Sequence, residues 1–176
     1  MSEPDAFDQI MASLDPPMVV VTAAVQEERA GCLIGFHAQG GIHPRRYAIW
    51  LSKANHTFRV AFLAQHVALH FLTRDDLDLA DLFGTNSGDD MDKFALCEWA
   101  PSADGPPLLL RCPNRLILRR TGVFDEGGDH MCFVAEPVAA FAPTRFEPLR
   151  LSDVSHLEPG HAVDERPLPP TTRAAD

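Results

Sequence analysis

The 176 residues contain no GxSxG, HExxH, Walker A or GxGxxG pattern. Hydrolase, zinc-protease, P-loop and dinucleotide-fold chemistry therefore lack their usual marks. Cysteine is scarce, and the four present (Cys32, Cys97, Cys112 and Cys132) show no CxxC spacing. That argues against a disulfide framework or a zinc site and for buried thiols in a reducing compartment. Basic residues are outnumbered, 15 against 25 acidic, for a formal net charge of -10. That argues against a nucleic-acid partner, which needs a basic footprint. A small anion is not excluded, since local N–H groups override the global sign. The longest apolar run, residues 18–25, is broken by Thr22 and is far too short to cross a bilayer. The first residues, Met-Ser-Glu-Pro-Asp-Ala-Phe-Asp, have no basic start and no apolar stretch. The expectation is a cytoplasmic protein with no signal peptide and no membrane partner.

What is present is a globular mix, 45% hydrophobic and 23% charged, enough for one domain with a core of its own. We expect that domain over residues 1–155 and a proline-rich mobile tail over 156–176. Phe7, Ile10, Met11 and Leu14 recur at helical spacing, and Pro16-Pro17 ends that helix. Residues 18–25 are β-branched and read as a buried strand. Residues 26–29 form a turn, and 30–38 are the return strand of a hairpin. Residues 39–44 read as a loop, 47–52 as a third strand, and 54–64 as a helix capped by Asn55 or Ser52. A strand over 67–73, a short helix over 77–83 and a polar loop over 84–92 follow. Strands at 108–111, 114–124 and 131–141 complete the pattern, the last two joined by Asp125-Glu-Gly-Gly128. Residues 149–154 form a further packed segment. Hairpins dominate and no βαβ rhythm appears. The fold class is mainly β, an antiparallel β-barrel with short helices.

The candidate site lies in the stretch from Arg29 to His56, which runs strand, glycine loop, strand, helix mouth. Gly31 and Gly35 interrupt a strand, which marks either another body close to the backbone or a barrel corner. Ser52-Lys-Ala-Asn-His-Thr57 opens a helix whose first N–H groups attract an anion; equally, it is an ordinary polar cap. Ser52, Asn55 and Thr57 add donors there, and Lys53 or His56 adds charge. A flat aromatic ligand with a phosphate tail suits this layout, with Gln39 able to reach a ring carbonyl. Lys93 and His130 could join the same pocket, or be a solvated lysine and a turn histidine. His66 and His70 share a strand face but have no nearby third ligand, so no metal site is expected.

Taken together these pieces resemble the flavin reductase-like, FMN-binding split-barrel family, over residues 18–141. The resemblance rests on Val-Val-Thr-Ala in the first strand and Ala-Gly-Cys-Leu-Ile-Gly-Phe before a loop with His-Pro. It rests equally on Ser-Lys-Ala-Asn-His-Thr, Asp-Lys-Phe, and Gly-Asp-His-Met-Cys-Phe-Val-Ala-Glu-Pro. It implies a homodimer of split barrels that binds FMN, oxidises NADH or NADPH and passes reduced flavin to a monooxygenase partner. Carried over by position, Gly31, Cys32, Leu33, Ile34, Gly35, Phe36, His37 and Gln39 would line the flavin ring. Ser52, Lys53, Asn55, His56 and Thr57 would hold the phosphate. Lys93 would complete the pocket, and His130 would be the catalytic contact to the nicotinamide. The chain departs from the commoner pattern at Leu33 and Gly35, where a Thr-x-Ser pair is usual, at His43-Pro44-Arg45, and at His70, where Asn is common. The alternatives are a flavin-binding split barrel without reductase turnover, or a dimeric module for another flat ligand such as haem or a deazaflavin.

Overall fold

The structure, a computed structural model, describes residues 5–160. Nine strands and three α-helices run in the order α1 (Ala6–Leu14), β1 (Val19–Val25), β2 (Glu28–Ile34), β3 (His37–Ile42), β4 (Arg45–Ser52), α2 (His56–Leu63), β5 (His66–Phe71), α3 (Leu77–Thr85), β6 (Trp99–Ala100), β7 (Leu108–Leu109), β8 (Arg115–Phe124) and β9 (His130–Phe141). Seven strands make one antiparallel sheet in the order β2-β1-β5-β8-β9-β4-β3, and β6 pairs with β7 beside it. The two edge strands, β2 and β3, are consecutive in the chain. The sheet therefore curls back toward its own start and stays open along one seam, the expected split barrel.

The seam corrects one expectation. Residues 30–38 are not one strand. Pairing with β1 stops at Ile34, and from His37 the chain pairs with β4 instead. Gly35 and Phe36 lie between the two runs, and Phe36 hands its carbonyl to Trp50 N–H at 2.9 Å. Residues 39–42, expected as loop, belong to β3. Local propensity sees a continuous extended run; only the change of partner breaks it.

The first strand reads as an unbroken apolar run because both of its faces are buried. Val19, Val21 and Ala23 face the barrel interior with Phe58, Leu69 and Phe133, whereas Met18 and Val20 face a second core under α3 and the 149–154 segment. Phe58 and Phe83, each 1% exposed, anchor the two cores. Truncating either to Ala costs about 3–5 kcal/mol. Thr22, inside this run, is satisfied by donating its hydroxyl hydrogen to Pro107 O at 2.6 Å. The helix α1 forms as its periodicity predicts, capped by Asp5 accepting from Asp8 N–H, yet none of its residues is buried. Leu149 and Val154 are buried as expected. Of residues 156–160, expected in the tail, Leu157 packs on the second core and Gly160 N–H donates to Gly84 O at 3.2 Å. The rest of the expected tail, 161–176, falls outside the described residues, as do residues 1–4.

Candidate functional site

The alternation of β2 decides which of its residues a ligand can meet. Ala30, Cys32 and Ile34 point into the barrel core, so Cys32 and Ile34 are walls of the interior. Burial raises the Cys32 thiol to about 11, against weaker lowering by Lys93 and by a hydrogen bond from Thr57. The Thr57 side chain is therefore spent inside as well. Gly31, Leu33 and Gly35 point the other way. A Cβ on Gly31 would stand 2.8 Å from the Phe83 ring, and one on Gly35 would stand 3.1 Å from Met18 Sδ. The body expected to approach these glycines is the protein's own α3 and its own Met18.

Leu33 lines a cavity of about 220 Å³ together with Phe83 and Leu157 on its apolar side and Asn55, Asn86 and Ser87 on its polar side. No ionisable side chain lines it among the described residues. Past Gly35, Phe36 is exposed and meets the His130 ring edge-on at 5.2 Å. His130 is brought there by register, since it pairs with Ser52 across β4 and β9. Its Nδ1 donates to Asp129 Oδ1 at 2.9 Å, leaving Nε2 for a ligand.

His37 and Gln39 are placed elsewhere. A backbone carbonyl can only accept, so His37 Nε2 donates to Pro17 O at 2.9 Å, and Nδ1 accepts from the Tyr47 hydroxyl at 2.7 Å. Burial lowers the His37 pKa, in keeping with this neutral ring. The side chain staples β3 to the segment before β1. Gln39 is exposed on β3 and donates to Gly41 O; the fold does not bring it to the cavity.

At the mouth of α2, Asn55 rather than Ser52 is the cap, its Oδ1 accepting from Thr57 N–H at 2.9 Å. Ser52 Oγ accepts from Ala54 N–H at 3.3 Å. The polar side chains here already have partners. Lys53 Nζ donates to Asp125 at 2.8 Å, and His56 lies between Glu28 at 3.3 Å and Asp89 at 2.9 Å. Arg59 also pairs with Asp89. Gly88 lies on the His56 imidazole, so close that a Cβ would stand 2.6 Å from Cδ2.

Lys93 is partnered differently. It is only 4% exposed, donates to Asn86 O at 2.8 Å and lies 5.4 Å from the Phe83 ring centroid. No carboxylate pairs with it among the described residues. Burial lowers its pKa, with Cys32 pulling weakly the other way. Lys93 faces a second pocket of about 290 Å³, shared with Gly31, His56, Gly88, Arg29 and Asp92. Asn86 links the two cavities, lining the first and accepting from Lys93 of the second.

The structure thus gathers Leu33 with Asn55, Gly31 with His56 and Lys93, and Phe36 with Ser52 and His130. It sets Cys32, Ile34 and Thr57 inside and His37 and Gln39 apart. Sequence reasoning missed Phe83, Asn86, Ser87, Gly88 and Leu157. The glycine-bearing polar run 84–92 was the available signal, since such loops carry sites more often than packed elements do. No three His, Cys, Asp or Glu side chains gather as metal ligands among the described residues. No helix among them is long and apolar enough to cross a membrane.

A profile of the flavin reductase like domain family matches residues 11–154. No curated protein matches in sequence. Among solved structures, the fold is similar to an FMN-binding protein from Thermus thermophilus with bound 1-cyclohex-2-enone, at 22% identity and TM-score 0.67 over 72% of this chain and 70% of that one. It is also similar to flavoredoxin from Methanosarcina acetivorans, at 19% identity and TM-score 0.68 over 73% and 69%. A third is the NADH:FAD oxidoreductase of Streptomyces globisporus C-1027, at 19% identity and TM-score 0.68 over 85% and 96%. With its domain match spanning most of the folded chain and its split barrel in common with these structures, the protein belongs to the flavin reductase like domain family.

Proposed function

We propose that this protein is an NAD(P)H-dependent flavin oxidoreductase that binds FMN or a related flavin at the seam between β2 and β3. One observation carries the reading: Leu33 and Asn55 meet on a cavity with apolar walls and a neutral polar rim, while Phe36 meets His130, which register sets opposite Ser52. Flat, uncharged rings bind in such settings, held by apolar walls and oriented by a few amide and hydroxyl groups. Leu33, Phe36 and Phe83 would hold the ring, and Asn55, Asn86 and Ser87 would meet its polar edge. Lys93 is the residue best placed for negative charge. When bound, the flavin supplies the two-electron chemistry, accepting hydride from a reduced nicotinamide.

The chain's own contribution is placement. The apolar cavity excludes water, the α2 cap fixes Asn55, and Asp129 fixes the tautomer of His130 so that Nε2 can orient the nicotinamide amide. No protein nucleophile is required. The relatives named as an FMN-binding protein and an NADH:FAD oxidoreductase fit this assignment. The absence of hydroxyls at Leu33 and Gly35 favours a second reading, a flavin carrier without reductase turnover, because fewer hydrogen bonds fix the ring for hydride transfer.

A homodimer is part of the proposal. Phe7, Ile10 and Leu14 on α1 and Phe124 and Phe141 on the sheet are all exposed, apolar surface that a second copy would cover. A cytoplasmic location and delivery of reduced flavin to a monooxygenase complete the reading. The test is consumption of NADH or NADPH with added FMN, beside flavin fluorescence for binding. His130→Ala should lower turnover while leaving flavin affinity within about threefold, as expected for loss of a contact made only to the second substrate. If flavin binds but no nicotinamide is consumed, the carrier reading replaces the reductase.

A further inference from the structure

We infer that this site recognises the flavin ring and not its phosphate, so that riboflavin binds as tightly as FMN. The inference rests on the flavin reading above and narrows its ligand class. A phosphate site needs uncommitted cations or N–H groups, and the α2 mouth has already used most of its own. Lys53 is bound to Asp125, Arg29 to Asp92, and His56 and Arg59 to Asp89, with Glu28 on the other side of His56. The N–H groups of Ala54 and Thr57 are taken by Ser52 Oγ and Asn55 Oδ1.

A dianion entering here would have to displace a carboxylate from its partner and then sit beside it. The exchange replaces one ion pair with another and adds repulsion from Glu28, Asp89, Asp92 and Asp125. Lys53 is itself buried, so parting it from Asp125 costs more than breaking an exposed pair. Lys93 lacks a carboxylate partner, but its ammonium is engaged by Asn86 O and the Phe83 ring, and its pocket also contains Glu28 and Asp92. The cavity on the Leu33 side, in contrast, contains nothing ionisable. Affinity therefore comes from burying a neutral ring.

The test is a pair of fluorescence titrations of the full chain, with riboflavin and with FMN, at about 20 mM and about 200 mM salt, which spans strong and weak screening. The expected result is a pair of Kd values within about threefold of each other and an FMN affinity that salt does not weaken, as matched charge pairs predict. The exposed-carboxylate variant Asp125→Asn releases the Lys53 ammonium. It should tighten FMN at least about twofold and leave riboflavin unchanged. FMN binding more than about tenfold tighter than riboflavin, with loss of that preference in high salt, would overturn the inference and keep the flavin reading. Binding of neither flavin would overturn the flavin reading itself.

Discussion

His70 makes the fold sensitive to mild acid. It stands on β5 opposite Val20, is fully buried, and spends both ring nitrogens on backbone: Nδ1 donates to Val20 O at 3.3 Å, and Nε2 accepts from Leu109 N–H at 3.1 Å. A second proton on the ring would leave Leu109 N–H facing another N–H. Burial, reinforced by the Arg115 charge and opposed by the Val20 hydrogen bond, lowers the pKa from 6.5 to about 4. The folded value lies below the unfolded one, so between them the unfolded chain binds the proton that the native state refuses. Stability is then level above about pH 6.5 and declines as pH falls toward about 4. By linkage the loss is about 2 kcal/mol at about pH 5 and about 3 kcal/mol at about pH 4, from this residue alone. His37, also lowered by burial, acts in the same direction. The carboxylates with lowered values, Asp15, Asp78, Asp125 and Asp129, lose their contribution only as pH falls further, through their folded pKa values. The interval from about pH 6.5 to about pH 4.5 therefore isolates the histidines. Urea denaturation across that interval, followed by intrinsic fluorescence, measures the slope. A midpoint that does not move would refute the buried neutral His70. His70→Asn should flatten most of the slope, since an amide carries no proton in this range, at a fixed cost of about 1–3 kcal/mol for imperfect hydrogen bonding.

Other outcomes follow from single contacts. Gly31→Ala places a methyl 2.8 Å from the buried Phe83 ring, and overpacking of that kind should cost about 1–3 kcal/mol, read as a lowered Tm. Asn55→Ala removes the α2 cap and should cost about 1 kcal/mol in denaturant unfolding; an unchanged midpoint would mean that the cap contributes nothing. Burial raises the thiols of Cys32 to about 11 and Cys112 to about 12, so in the native protein the half-buried Cys97 and Cys132 should react first with a chromogenic disulfide reagent. Native-state labelling of Cys32 before Cys132 would contradict the interior placement of β2.

The hairpin of β1 and β2, the helix capped by Asn55 and the long hairpin of β8 and β9 were legible in sequence. Each is specified by neighbours: β-branched alternation, an Asn ahead of an apolar helical face, and an Asp-Glu-Gly-Gly turn. The order Ser52-Lys-Ala-Asn-His-Thr57 likewise announced a polar helix mouth. Its hydrogen-bonded state was not legible, because the partners of its side chains lie far off in the chain. Asp125 is 72 residues from Lys53, and Asp89 is 33 from His56.

The sequence by itself determined most of the strands, the capped helix and the family to which they belong, since local hydrogen bonding and side-chain period are properties of short segments. Tertiary structure alone decided that the chain changes partner at Gly35 and Phe36, that Phe83 fills the space beside Gly31, and that carboxylates occupy the helix mouth. Those outcomes depend on which distant segments meet. That is settled by closing the sheet and burying two cores at once, and no window along the chain contains both sides of such a contact.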